Sequence, residues 1–218
     1  YYIIVPEQFT MQTQKNVVEM HPGKGILNID VLSFQRLAYR IFEETGGARE
    51  VLLDDTGKSM VLQKLVQQHR KNLPYLGNQM NKPGYLDEVK SLISEFMQYD
   101  IREEELQDML GKTGEDSLLH MKMQDVGVLY QAFLQYLEGH YMTGEGVMDA
   151  LKKAIPFSDK LKKSVLLLDG FTGFTPVQMN VIRELLNVCD KVLVTVTMDA
   201  GENPDRKSTR LNSSHCIV

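Results

Sequence analysis

The sequence predicts an α/β fold in which a parallel sheet is interrupted by an all-helical insertion. Three observations predict it. Two strand-then-helix units open the chain, about a hundred residues with only helical periodicity follow, and strand-helix-strand patterning then returns.

YYIIV, at the start, is β-rich and continuous where a half-exposed strand would alternate, the mark of a strand covered on both faces. Pro6 stops it, and EQFTMQTQKNVVEM reads as a helix. NIDVLSF supplies a second short strand. Ser33 is placed to cap the helix FQRLAYRIFEETGG, and Gly46 and Gly47 stop it. The middle is a series of amphipathic segments: TGKSMVLQKLVQQH, YLDEVKSLISEFMQY, EEELQDML, LLHMKMQDVGVLYQAFLQYLEGHY and GVMDALKKAI. Leu86, Val89, Ile93 and Phe96 recur at helical spacing, as do Val126, Leu129, Tyr130, Phe133 and Leu137. SVLLLD is then a buried strand, Thr175 caps and Pro176 opens the helix PVQMNVIRELLNV, and KVLVTVT is a further strand. The expected organisation is residues 1–54 and 164–205 as two parts of one α/β domain, with 55–163 as a helical subdomain. RKSTRLNSSHCIV, residues 206–218, is rich in Ser, Asn and Arg without apolar periodicity and reads as a non-native tail.

At 218 residues and 43% hydrophobic content the chain can bury the core of one domain. No apolar run approaches the ~20 residues of a membrane-spanning helix, so no membrane partner is expected. The chain opens inside a strand, without Met or the basic start of a secretory signal, as though cut at its front. Cys189 and Cys216 are too few for a disulfide framework or a four-ligand zinc site and fit a reducing cytoplasm. Formal charge is −5; without the last thirteen residues, which carry three cations and no acid, 21 basic side chains face 29 acidic ones. Such a chain has no general attraction for phosphates. Any nucleic-acid contact must come from a local cluster or a partner subunit.

TGKS at Thr56–Ser59 resembles the end of a phosphate-binding loop, but the pattern Gly-x-x-x-x-Gly-Lys-Ser/Thr needs glycine where Leu52 stands. With Asp54 and Asp55 before it, the stretch reads as a helix N-terminus capped by Thr56 or Asp55. Asp169 closes the strand LLLD at the edge where parallel sheets bind ligands, and is the candidate for holding magnesium. Gly170 stands where nucleotide hydrolases place a second acid, so this strand offers no general base. FTGFTP then carries Phe171 and Phe174, while PEQFT and SFQRLAYR hold equivalent strand-to-helix positions. In a parallel sheet all three reach one face, gathering Gln8, Thr10, Phe34, Arg36, Tyr39, Phe171 and Phe174. Gln, Thr and Arg hydrogen-bond bases and phosphates, and aromatic rings stack on unpaired bases. The competing reading puts Phe34 and Tyr39 in the core, Arg36 in solvent, and Phe171 and Phe174 under the next helix. His21, His69, His120 and His140 are isolated, no Gly-x-Ser-x-Gly occurs, no residue is assigned a catalytic role, and Asp169 is retained only as a vestigial nucleotide and magnesium position.

VPEQFTMQTQ, ILNIDVLSFQRLAYRIFEETGG, LLDDTGKSMVL, KPGYLDEVKSLISEF and LLLDGFTGFTPVQ, in this order, closely resemble the AddB (RexB) subunit family of the bacterial AddAB helicase-nuclease. The resemblance implies a P-loop NTPase fold of the RecA-like, superfamily 1 helicase type with a helical insertion. It implies an AddA-type motor as partner in a cytoplasmic bacterial heterodimer that unwinds and degrades double-strand DNA ends and pauses at Chi to start recombinational repair. The helicase-like part would scan single-stranded DNA for Chi. Full-length members use ATP, Mg2+ and a 4Fe-4S cluster, none expected within this segment. Carried over by motif, Gln8, Thr10, Phe34, Arg36, Tyr39 and the Phe171/Phe174 loop lie near the Chi-reading channel, with Tyr39 where some members have Trp. The family's phosphate-binding loop is expected upstream of VPEQ, and its nuclease motif and cluster cysteines outside the segment. The expectation is a strand-binding region without chemistry of its own; the alternative is an active ATP-dependent helicase domain using Asp169 and that upstream loop.

Overall fold

The computed structural model describes residues 1–47, 50–79, 82, 84–114, 117–197 and 215–217. Its first elements are β1 (Tyr2–Ile4), α1 (Thr10–Met20), β2 (Asp30–Leu32) and α2 (Phe34–Thr45). β3 (Val51–Leu52), α3 (Asp55–His69), α4 (Leu76–Gln79), α5 (Tyr85–Gln98), α6 (Glu103–Gly111), α7 (Leu118–Leu137) and β4 (Tyr141–Met142) follow. α8 (Gly146–Ala154), α9 (Asp159–Lys162), β5 (Val165–Leu168), α10 (Pro176–Val188), β6 (Lys191–Thr197) and β7 (His215–Ile217) complete the order.

Two compact units result, Tyr1–Ala48 with Met148–Val218, and Arg49–Val147. Sequence patterning places the divisions at 54/55 and 163/164; both are displaced by bonds that periodicity does not show. β3 pairs in parallel with β4, which ties the residues before Asp55 to the helical unit. In the sheet unit, Glu44 of α2 accepts from the Ser158 hydroxyl at 2.7 Å and from the Lys160 amide at 3.0 Å, which ties α9 to the α/β layer.

The sheet has four parallel strands in the order β2-β1-β5-β6, with β7 antiparallel beside β6. Tyr2 lies opposite Asp30 on one side and Leu166 on the other, so β1 lies between β2 and β5. From β1 the chain steps to β2 in one direction, and from β5 to β6 in the other. The strand order therefore reverses between β1 and β5. At such a switch point the loops after the two strands part, leaving a crevice at their C-terminal ends where α/β sheets bind ligands.

Local chemistry starts and stops the helices around that crevice. Ser33 Oγ accepts from the Arg36 amide at 3.3 Å to open α2, and Gly46, at φ +94°, ends it. Phe34, Leu37, Ala38 and Ile41 form the buried face of α2, and the fully buried Leu37 and Ile41 contribute about 1.5–3 kcal/mol each. α10 opens with a reciprocal cap: Gln178 Oε1 accepts from the Thr175 amide at 2.9 Å, and Thr175 Oγ1 accepts from the Gln178 amide at 3.4 Å.

In the helical unit, Leu62, Ile93, Leu129 and Phe133 sit at the centre of a core built from α3, α5 and α7. Two expectations change here. The cap of α3 is Asp54, not Thr56 or Asp55: its carboxylate accepts from the Gly57 amide at 2.7 Å, and only Asp54 has the extended backbone a cap needs. The helix expected to run to Tyr141 stops at Leu137, because Gly139 turns the chain at φ +74° and releases Tyr141 into β4. No helix among the described residues is long and apolar enough to cross a membrane.

Candidate nucleic-acid interface

Three loops leave the C-terminal ends of β1, β2 and β5. After β1, Pro6 leads into one turn of 3-10 helix at Glu7–Phe9, closed by the Phe9 amide on the Pro6 carbonyl at 2.9 Å. Thr10 is 3% exposed, and its hydroxyl donates to the Glu7 carbonyl at 3.0 Å. Gln8 is exposed on that turn, whereas Thr10 is consumed in holding it. After β2, Phe34 points inward at 5% exposure while Arg36 and Tyr39 face outward. After β5, the Asp169 amide bonds to the Ile4 carbonyl at 2.9 Å, and Gly170 turns the chain at φ +74°.

That turn aims Phe171 and Phe174 at Phe34. Ring centroids are 5.6 Å apart for Phe34 and Phe171, 6.5 Å for Phe34 and Phe174, and 4.9 Å for Phe171 and Phe174. Such tilted and edge-on pairs add about 0.5–1.5 kcal/mol beyond area burial. Phe34 is the buried floor of the cluster, and the half-buried Phe171 and Phe174 form its outer layer. Arg36 reaches across to the first loop, its Nε donating to Glu7 Oε1 at 3.0 Å. Tyr39, 38% exposed, pairs edge-on with Phe42 at 6.3 Å, apart from the three-ring cluster. The structure thus joins Phe34, Phe171 and Phe174 directly, brings Arg36 to the turn that carries Gln8, buries Thr10, and sets Tyr39 on the outer face of α2.

Two side chains beside the site escape sequence reasoning. Thr195 Oγ1, on β6, donates to Asp169 Oδ1 at 2.6 Å. The alternation in KVLVTVT is its only trace, and choosing the facing residue requires the register that pairs Leu168 with Val194. Glu7 stands within PEQFT, but its partner lies 29 positions away.

TGKS lies in the first turn of α3, and its lysine is engaged within the helical unit. Lys58 Nζ meets both Glu145 oxygens at 2.9 Å and Ser94 Oγ at 3.3 Å. Burial pushes the Glu145 carboxyl up, but the hydrogen bond and charge of Lys58, together with hydrogen bonds from the Glu145 backbone amide and from Thr143, outweigh it and hold the group below its ordinary 4.5. Asp169 and Thr195 offer a carboxylate and a hydroxyl, yet no Gly-rich phosphate loop occurs in the sequence, so a nucleotide with magnesium is not fitted by this chain's own residues. Among the described residues no group of three His, Cys, Asp or Glu could hold a metal ion. A 4Fe-4S cluster needs four thiolates and the sequence has two cysteines.

These features define a class: a parallel α/β domain with a helical insertion, whose switch-point edge carries an aromatic cluster and polar side chains. Within that class the chain belongs to the AddB N-terminal family, whose model, described as "ADDB, N-terminal", matches residues 1–214. It is 46% identical over 202 residues to the B subunit of the ATP-dependent helicase/deoxyribonuclease of Lachnoclostridium phytofermentans, covering 93% of this chain and 18% of that protein. The proteins of the same description from Alkaliphilus metalliredigens and Clostridium acetobutylicum are 33% and 34% identical, over 91% and 90% of this chain and 17% of each of theirs. The chain therefore spans less than a fifth of the length of these curated relatives.

Proposed function

We propose that the chain is the helicase-like, strand-holding region of an AddB-type subunit in an AddAB-type ATP-dependent helicase/deoxyribonuclease, acting in double-strand break repair by homologous recombination. One observation carries this reading: in a member of the AddB N-terminal family, Phe171 and Phe174 pack as a tilted pair at the switch-point edge of a parallel sheet whose loops also carry the exposed Gln8 and Arg36. A single DNA strand crossing that edge stacks bases on the outer rings, at about 1–3 kcal/mol per base, and offers base edges and phosphates to Gln8, Arg36 and Tyr39. Thr10 and Phe34 support this surface from below.

In this reading the sheet is a RecA-like core of the P-loop NTPase lineage whose edge serves to scan for Chi. Unwinding belongs to an AddA-type motor partner in the bacterial cytoplasm, and ATP, Mg2+ and the 4Fe-4S cluster belong to parts of the complex outside this segment. Photocrosslinking an iodouracil-substituted single-stranded oligonucleotide to the full-length protein assembled with its motor tests it. Adducts on the Phe171–Phe174 loop are expected; adducts confined to residues 49–147 would sink the reading.

A second reading, an active ATP-dependent helicase domain, draws on the Asp169 carboxylate at the end of a central parallel strand. It requires a phosphate-binding loop elsewhere in the full-length protein. ATP turnover by that protein that disappears in Asp169→Ala would establish it, and turnover indifferent to that change would remove it.

A further inference from the structure

The contact between Glu7 and Arg36 joins two of the three loops, through side chains that are 54% and 52% exposed. An exposed pair of this kind contributes little to stability. Its geometry is more informative than its energy. A guanidinium presents two bidentate edges, one containing Nε and one made of the two terminal nitrogens. With Glu7 Oε1 on Nε at 3.0 Å, the first edge is engaged, while the terminal nitrogens bond to none of the described residues on a side chain that is 52% exposed.

Both ends of the contact are fixed by the backbone. The Arg36 amide is held by the Ser33 cap at 3.3 Å, and the Glu7 carbonyl is held by the Thr10 hydroxyl at 3.0 Å from a buried position. A held arginine fork matches the O6 and N7 acceptors of guanine, whereas adenine offers a donor and an acceptor on the same edge.

We propose, on the reading that this edge holds a DNA strand, that Glu7 is a positioning residue that sets Arg36 to read guanine, with Thr10 fixing the turn that carries Glu7. A Glu7 that merely shielded Arg36 from phosphates would act through its charge. A positioning Glu7 acts through its acceptor oxygen, which glutamine retains and alanine does not.

The test measures binding of single-stranded oligonucleotides to the full-length protein assembled with its motor, with one guanine exchanged for adenine at each position in turn. The parent protein should prefer guanine about fivefold or more at one position, the lower end of what a bidentate base contact discriminates. Glu7→Ala should bring that ratio close to one with binding of the adenine oligonucleotide unchanged or stronger, Glu7→Gln should keep most of it, and Arg36→Lys should lose it. Glu7→Gln behaving like Glu7→Ala, a preference that survives Glu7→Ala, or a parent without guanine preference would each overturn the proposal while leaving strand binding intact. DNA binding insensitive to both Arg36→Ala and the Phe171 and Phe174 substitutions would instead bring down the strand-binding reading itself, and this inference with it.

Discussion

Replacing Lys58 by methionine removes the cation from a nearly buried ion pair and leaves its carboxylate behind. The Lys58 and Glu145 side chains are 9% and 11% exposed, and Nζ reaches both carboxylate oxygens at 2.9 Å. Breaking such a pair from one side costs about 3–5 kcal/mol, because the remaining charge has lost both water and partner. At a urea slope of about 1–3 kcal/mol per molar, the unfolding midpoint of the helical unit should fall by at least about 1 M. The chain has no tryptophan, so far-UV circular dichroism is the natural probe. The pH dependence carries a second signature. Since the folded Glu145 lies below its ordinary 4.5, the pair's contribution is present above that value and lost as pH falls through the folded-state pKa. In Lys58→Met that acid-side loss should vanish, because neutralising the orphaned carboxyl now helps. Replacing both residues by apolar ones should recover much of the stability. A cost under about 1 kcal/mol, typical of an exposed pair, would refute the burial argument. Loss of nucleotide binding without loss of stability would refute the assignment of TGKS as a helix start.

Asp125, fully buried on α7, accepts the Tyr75 and Leu76 amides at 2.9 and 2.7 Å, and burial outweighs those bonds to raise its carboxyl above 3.8. Its sign is opposite to that of Glu145: stability should fall as pH rises from 3.8 to the raised folded value, and Asp125→Asn should flatten that part of the titration in pH-dependent melts. Gly170→Ala has room, with Pro6 Cδ 3.8 Å from the added carbon, but φ is +74°. It should cost about 1–2 kcal/mol in denaturant titration and weaken oligonucleotide binding by misaiming Phe171; an unchanged midpoint would count against the left-handed turn. Phe34→Ala should destabilise the sheet unit by about 3–5 kcal/mol, whereas Phe171→Ala should lower strand binding with a smaller stability loss; equal destabilisation by both would place Phe171 in the core. Given its acidic balance, the 218-residue chain alone should bind DNA weakly and less as salt rises; sub-micromolar, salt-insensitive binding would contradict a phosphate-driven contact.

Much of the site is legible in the sequence because its parts sit at strand-to-helix joints with short-range signals. Ser33, Thr175 and Pro176 mark helix starts within a few residues, and each does so in the fold. Of the residues gathered as one surface, Phe34, Phe171 and Phe174 do meet, but Phe34 lies underneath them and Thr10 is spent on a backbone bond. A motif places a residue near an edge; which way its side chain turns depends on what packs behind it. The competing reading puts Phe34 and Tyr39 together in the core, and the fold separates them, burying the first and exposing the second.

The sequence by itself determined the strand-to-helix units that flank the helical stretch, the two-sided cover implied by an unbroken apolar β1, and the glycine that removes a second acid after Asp169. Those are local properties, set by periodicity, caps and side-chain chemistry within a window of a few residues. Only the tertiary structure decided that β1 lies between β2 and β5, and with it the switch-point crevice. It also decided that Asp169 meets Thr195, that Glu7 holds Arg36, and that Lys58 is locked to Glu145 across 87 positions. Those partners are chosen by chain closure and by the need of buried or facing charges to be satisfied, and no local window contains both halves of the choice.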